Sequence, residues 1–185
     1  MRIEWKPRRL EIFVIGTLII GLFFVVIFAF SRARNIKRGV WCQSNLKKVA
    51  LATMQYTRDY DEIYPLARNW SESLYPYCKD KTLFHCPAVP QHGYSMNQTL
   101  AVAAMSRIND VDEMPLVFES SVLKPFQCDN GKTFLREPRH NQGIALVYAD
   151  GHAEWREVPP PFPKIAPPPN KLPPIIIQKP TKPLP

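Results

Sequence analysis

Residues 12–30 read IFVIGTLIIGLFFVVIFAF, nineteen positions without a charged side chain. As an α-helix this segment extends about 28 Å, close to the thickness of a bilayer core. It exceeds the roughly 15 residues of a signal-peptide apolar region, and Arg32 and Arg34 follow at once, which favours an uncleaved anchor over a cleaved signal peptide. The sequence therefore predicts a single membrane span at 12–30, with the lipid bilayer as its partner.

Beyond the span, residues suited to burial recur at helical spacing on one face of the chain. These positions follow one another at steps of four and three residues, namely Cys42, Leu46, Val49, Thr53, Tyr56 and Tyr60. This spacing predicts an amphipathic helical stem over 31–60 with one face to bury. No proline lies between Leu10 and Pro65, so we expect one helix from about Leu10 to Asp59, with Gly39 as the place where it would bend.

The net charge of +8 is unevenly distributed along the chain. Residues 1–38 carry eight basic and two acidic side chains (+6), residues 39–157 twelve and fourteen (−2), and residues 158–185 four basic and no acidic ones (+4). Basic residues beside a span contact lipid headgroups, and those of the tail alternate with prolines and not with stacking aromatics. We therefore expect no nucleic-acid partner.

The chain divides into five segments by composition. A basic cytoplasmic N-terminus (1–11) precedes the span (12–30) and the stem (31–60), and a globular α+β domain (61–157) precedes a tail (158–185). The tail holds twelve of the twenty prolines. Because such a run favours polyproline II and cannot form a packed core, the tail is predicted to be disordered.

Strand patterns dominate the second half of the globular domain. Residues 115–120 predict one strand, and the runs 143–149 and 152–158 on either side of Asp150-Gly151 predict a hairpin with a type I′ turn, which needs positive φ at both central residues. Short helices are predicted at 70–77 and 97–105. The expected fold is α+β, a long N-terminal helix packed on a small antiparallel sheet.

All four cysteines, Cys42, Cys78, Cys86 and Cys128, follow the span. An even number is typical of disulfides in an oxidising compartment, which places the globular domain outside the cytoplasm; four reduced, buried cysteines are the alternative. The equal numbers of basic residues flanking the span give no orientation. Three pairings exist, and we favour Cys78–Cys86 with Cys42–Cys128. Zinc is disfavoured because the spacings lack the paired C-x2-C of structural zinc sites.

Widely separated stretches carry a family resemblance. RHNQGIALVYADGHAEW at 139–155 contains His140, followed after nine residues by Asp150-Gly151, and CQSNLKKVALA occurs at 42–52. FHCP at 84–87 and YSMN at 94–97 lie between them in the same order as in the family. Over residues 31–155 the chain resembles bacterial prepilin-like proteins with an H-x9-DG domain.

This resemblance implies a type IV pilin or type II secretion pseudopilin-like fold. It implies a structural subunit of an envelope filament or secretion apparatus, anchored in the inner membrane and in contact with other pilin-like subunits or secretion machinery. Glu11 takes the place of the family glutamate that meets a neighbouring subunit; the alternative is an ordinary interfacial glutamate beside Arg8 and Arg9. Lys6 and Pro7 stand where the family has the glycine and phenylalanine of its cleavage site, so the alternative is an unprocessed, single-pass binding module that holds a metal ion or an envelope ligand.

The H-x9-DG motif is predicted to be structural. About 30 Å separate His140 from Asp150 if the strand between them is straight. We therefore assign Asp150-Gly151 to the turn and His140 to a cap or a bond with a neighbouring backbone carbonyl. Glu119 and Asp150 are the candidate metal ligands, but they offer too few converging oxygens for a hard cation. We predict no metal site, with calcium the one cofactor left open. No hydrolase elbow, phosphate loop or HExxH helix occurs, so no enzyme is expected.

Overall fold

A single helix, α1 (Arg9–Asp59), runs for 51 residues in the computed structural model, which describes residues 9–140 and 143–157. The helix continues through Gly39 without interruption. The predicted continuous helix is therefore confirmed. Residues 1–8 of the basic N-terminus and the tail predicted to be disordered (158–185) lie outside the described residues.

The first half of α1 is apolar and projects away from the rest of the described chain. Its most apolar 18-residue window is 0% buried, and Phe13 and Phe28 are each 71% exposed. The length and composition of this helix suit one membrane span. The structure is thus compatible with a single-pass membrane anchor.

In the described part of the chain, five strands form one mixed sheet in the order β3-β1-β2-β4-β5. They are β1 (Tyr94–Asn97), β2 (Pro115–Glu119), β3 (Cys128–Asp129), β4 (Ile144–Tyr148) and β5 (Ala153–Arg156). All neighbours are antiparallel except β1 and β3, which are parallel. The α+β class is confirmed, but the sheet is mixed and not purely antiparallel. The chain reverses from β1 into β2 and again over residues 120–127, so β3 runs parallel to β1.

Helices cover one face of the sheet, where α1 packs with α2 (Trp70–Cys78), the helix predicted at 70–77. The stem positions Leu46 and Val49 are fully buried there against strand residues such as Val147. The opposite face carries a second apolar cluster that includes Phe118 and Phe134. Both faces of the central strands are therefore buried, and the amphipathic stem provides one of the two covering layers.

The helix predicted at 97–105 is wrong. Strand β1 ends at Asn97, and two short 3-10 turns follow, Gln98–Leu100 and Met105–Arg107. The Asn97 amide donates to the Pro115 carbonyl at 2.8 Å, and its side-chain oxygen accepts from the Thr99 N–H at 3.1 Å. Asn97 thus ends a strand and caps a tight turn, and Val102 at φ +58° prevents a longer helix.

The predicted hairpin forms from β4 and β5, but its turn is not type I′. Residues 149–151 make a three-residue loop in which the Gly151 N–H donates to the Tyr148 carbonyl at 3.0 Å. Gly151 has φ +91°, whereas Asp150 is not in the positive-φ region. This is the pattern of a type I turn followed by a left-handed glycine, which three-residue hairpin loops favour.

Replacing Gly151 with alanine is expected to destabilise the fold by about 1 to 3 kcal/mol, the cost of a left-handed backbone at a residue with a side chain. The added Cβ would also lie only 2.6 Å from Met54 Cγ on α1. Urea denaturation of the detergent-solubilised full chain measures the effect. Gly21→Ala is the control, because a Cβ there meets nothing within 4 Å; equal loss in both variants would contradict this explanation.

Candidate metal centre

Four buried side chains from distant parts of the sequence meet between α1 and the sheet. Cys42 comes from α1, Cys86 from the loop after the 3-10 turn Lys81–Phe84, Glu119 from the end of β2, and His140 from the segment before β4. One potential ligand atom from each lies within 4.8 Å of the others. His140 is 3% exposed and the other three are 0% exposed. We call these four residues the buried cluster.

Glu119 occupies the centre of the buried cluster. Its Oε1 lies 3.1 Å from Cys42 Sγ, 3.2 Å from His140 Nε2 and 3.6 Å from Cys86 Sγ. Cys86 Sγ also lies 3.6 Å from His140 Nε2. Two sulfurs, one nitrogen and one carboxylate oxygen therefore already face one another at hydrogen-bond separations.

Local sequence explains why α1 and His140 approach so closely. Gly39 precedes Cys42 by about one helical turn and is buried. A Cβ at Gly39 would lie 3.3 Å from His140 Cβ and 3.3 Å from the Trp155 ring. The absence of a side chain at this position lets the His140 segment pack directly on the helix that carries Cys42.

Arg139 fixes the backbone beside His140. Its guanidinium donates to the Gly93 carbonyl at 3.1 Å and to the Ser120 carbonyl. Ser120 follows Glu119 directly in the sequence. The same arginine therefore holds the loop before β1 and the end of β2 in place, and with them the positions of Glu119 and His140.

Further donors surround the buried cluster. The Tyr94 hydroxyl lies 3.1 Å from Cys42 Sγ, and the Ala145 N–H donates to Glu119 Oε2 at 3.2 Å. Each of these groups can stabilise negative charge on a thiolate or carboxylate without occupying its remaining lone pairs.

Contacts within the buried cluster shift the pKa values of Cys42, Cys86 and His140. The hydrogen bond from Cys42 lowers the pKa of Cys86, against the effect of burial, and His140 lowers it further. The same bond raises the pKa of Cys42 far above its ordinary value, and burial adds to this. Burial alone would lower the pKa of His140, but bonds to Cys86 and Glu119 outweigh it and raise the pKa. The cluster thus favours a thiolate at Cys86 and a charged imidazole at His140 relative to these groups in isolation.

The expected disulfides do not form in this structure, where all four cysteines are free thiols. Cys42 lies in the buried cluster with Cys86 and not beside Cys128, which is on β3. Cys78 Sγ contacts the Leu74 carbonyl of its own helix at 3.5 Å. The pairs Cys78–Cys86 and Cys42–Cys128 are corrected accordingly, because sequence proximity did not indicate which thiol the stem would meet.

The residues of the H-x9-DG motif separate into two places. Asp150 lies in the hairpin loop, where its Oδ1 is 2.6 Å from His152 Nδ1 and accepts from the His152 N–H at 2.9 Å. His140 bonds Glu119 and Cys86, so the backbone carbonyl partner assigned to its side chain is wrong. The candidate metal ligands Glu119 and Asp150 are not brought together, and Glu119 faces sulfur and nitrogen instead.

Sequence reasoning found each residue of the buried cluster but not the site that they form. Cys42 and Cys86 were assigned to different disulfides, and their long separation hid their contact. One signal was present: Cys42, Cys86 and His140 all lie in the stretches that carry the family resemblance. Glu11, the residue assigned to assembly, lies far from this site, in the exposed first turn of α1.

No protein-family model, no curated protein and no solved structure matches this chain. Its function is therefore inferred from the geometry of its own helix, sheet and buried cluster.

Proposed function

We propose that this chain is a membrane-anchored, pilin-like structural subunit of a bacterial envelope filament or secretion apparatus. The observation that carries the proposal is the division of α1 into two halves. The first half is apolar and 0% buried in its most apolar window, and the second half packs on the sheet. One continuous helix thus serves as both membrane anchor and spine of the globular domain.

The exposed half of α1 supports assembly through helix packing. Association of helices in a membrane depends on close van der Waals contact and on a few polar groups. Glu11, in the first turn of α1, is placed to interact with a neighbouring subunit at the membrane edge, where a charge costs little. The globular domain lies outside the cytoplasm in this proposal, as the resemblance to prepilin-like proteins implies; the free cysteines no longer add to that argument.

Photocrosslinking in native membranes tests the assembly. A photoreactive phenylalanine analogue at Phe23 or Phe28, both exposed on α1, is expected to give adducts with further copies of this chain or with another membrane protein. The same analogue at Tyr75, exposed on α2, is the control and should give fewer adducts. Glu11→Gln should lower the adduct yield, whereas Glu72→Gln on α2 should not.

The second candidate is a stand-alone anchored module that holds a metal ion. The buried cluster is the specific observation in its favour, because its donor atoms suit a metal. Such a module needs no neighbour in the membrane, so crosslinks from the span only to lipid would overturn the filament proposal and leave the anchored module. Adducts that depend on Glu11 would support the filament subunit.

A further inference from the structure

We propose that Cys42, Cys86, Glu119 and His140 bind one zinc ion, which fastens the stem of α1 to the sheet. This site is independent of whether the chain assembles into filaments. It requires only the folded globular domain and the stem, both of which the structure describes.

The donor separations match a tetrahedral zinc site. With Zn–S near 2.3 Å and Zn–N or Zn–O near 2.0 to 2.1 Å, tetrahedral donors lie roughly 3.4 to 3.8 Å apart. In the buried cluster, Cys86 Sγ is 3.6 Å from His140 Nε2 and 3.6 Å from Glu119 Oε1. The contacts from Glu119 Oε1 to His140 Nε2 (3.2 Å) and to Cys42 Sγ (3.1 Å) are a few tenths of an ångström shorter. Four of the six donor pairs are thus near tetrahedral separations, and all donor atoms lie within 4.8 Å of one another, so shifts of about 1 Å or less complete the site.

The donor types select zinc over calcium. Two thiolates and an imidazole are soft or borderline ligands that zinc accepts, whereas calcium takes six to eight oxygens. Two thiolates and one carboxylate exceed the charge of Zn²⁺ by one negative charge. Donation from the Tyr94 hydroxyl to Cys42 and from the Ala145 N–H to Glu119 offsets that excess.

Burial and ligand number assign a structural role to the metal. Four protein donors fill a tetrahedral coordination shell, and a catalytic zinc would need an open position for water or substrate. All four side chains are at most 3% exposed, so no substrate reaches the ion. What the ion supplies is a crosslink among α1, the Cys86 loop, β2 and the segment before β4.

This crosslink would fix the position of the globular domain on the helix that continues into the membrane span. Cys42 lies twelve residues beyond the end of the predicted span, which is about 18 Å along the helix. The domain that packs on this helix is small, and small domains gain much of their stability from metals or disulfides. A zinc ion at Cys42 therefore holds the membrane anchor and the globular domain in one fixed arrangement.

Metal analysis of the full chain, purified in detergent without chelator, tests the proposal. Elemental analysis is expected to find one zinc per chain. Replacement of zinc by Co²⁺ should give the intense visible bands of tetrahedral cobalt and a near-ultraviolet band of thiolate-to-cobalt charge transfer. Cys86→Ser should lose most of the zinc and weaken the charge-transfer band.

Cys78→Ser combined with Cys128→Ser provides the matched control, because both cysteines lie outside the buried cluster. This variant should retain one zinc and the cobalt spectrum of the unmodified chain. Because loss of zinc from an unfolded Cys86→Ser variant would not be informative, the metal content of the unmodified chain is the deciding measurement. A folded unmodified chain that takes up no zinc or cobalt after reduction overturns the proposal, and so does a cobalt spectrum without thiolate charge transfer. A Cys42–Cys86 disulfide in the natively purified chain would overturn it as well.

Discussion

Replacing Glu119 with alanine is expected to lower the free energy of unfolding by about 3 to 5 kcal/mol, the loss typical when one partner of a buried charged pair is removed. Glu119 is 0% exposed and accepts from the Ala145 N–H at 3.2 Å. Its Oε1 also faces His140 Nε2 at 3.2 Å. The truncation leaves the imidazole and the backbone N–H without this acceptor inside the core, and it removes one of the four proposed zinc ligands.

Glu154→Ala is the matched control for this prediction. Glu154 lies on β5, where it pairs with Arg156 at 2.7 Å, and both side chains are about 40% exposed. An exposed ion pair contributes little to stability, so this variant should unfold close to the unmodified chain. Denaturant unfolding of the detergent-solubilised full chain, followed by near-ultraviolet circular dichroism, measures both variants. Similar midpoints for Glu119→Ala and Glu154→Ala would show that Glu119 does not organise the core.

Two arginines in the apolar half of α1, Ile20→Arg with Phe24→Arg, are expected to prevent stable membrane insertion. Each arginine near the centre of a span costs about 2.5 to 3.5 kcal/mol on insertion scales, so the pair opposes insertion by about 5 to 7 kcal/mol. Both positions are more than half exposed on α1, so the folded domain does not depend on them. We expect the variant chain to leave the carbonate-resistant membrane fraction.

Arginine at two exposed positions of the stem, Val40→Arg with Leu51→Arg, is the control for the span. These side chains are 55% and 64% exposed and lie on the same helix beyond residue 30. They should leave the chain in the membrane, because the 12–30 segment is untouched. Retention of the Ile20→Arg, Phe24→Arg chain in carbonate-washed membranes would contradict a span at 12–30.

Helices and strands with a clear sequence pattern of their own could be predicted from that pattern alone. The helix from Leu10 to Asp59 follows from apolar runs and helical spacing with no proline. The strand at Pro115–Glu119 and the hairpin around Asp150-Gly151 follow from β-prone runs and a turn dipeptide. The turn type was predicted wrongly, because an Asp-Gly pair also suits a three-residue hairpin loop in which only the glycine has positive φ.

Elements stabilised mainly by tertiary contacts could not be predicted in this way. Strand β1 has only four residues and its YSMN sequence shows no clear alternation, and β3 has two residues. Their pairing depends on neighbours that lie far away in sequence, such as the register between Ser95 and Phe118. Residues 97–105 were assigned to a helix because the bond from Asn97 to Pro115 cannot be read from the segment alone.

The buried cluster was the largest omission. Its members are separated by 44, 33 and 21 residues along the chain (42 to 86, 86 to 119, 119 to 140), so no local spacing rule detects them. Structural zinc sites are usually recognised by paired C-x2-C motifs. Zinc was disfavoured from the sequence because the cysteines of this chain are too far apart to form such pairs. Only the packing of α1 on the sheet brings Cys42 to Glu119 and His140.

X-ray absorption at the zinc edge of the natively purified full chain is the most direct test of the zinc-fastened stem. We expect a four-coordinate ion with two sulfurs at about 2.3 Å and two nitrogen or oxygen donors at about 2.0 to 2.1 Å. The sulfur count should fall to one in Cys86→Ser and stay at two when Cys78 and Cys128 are replaced. A first shell of nitrogen and oxygen alone would contradict the account, because it would place the ion outside the buried cluster.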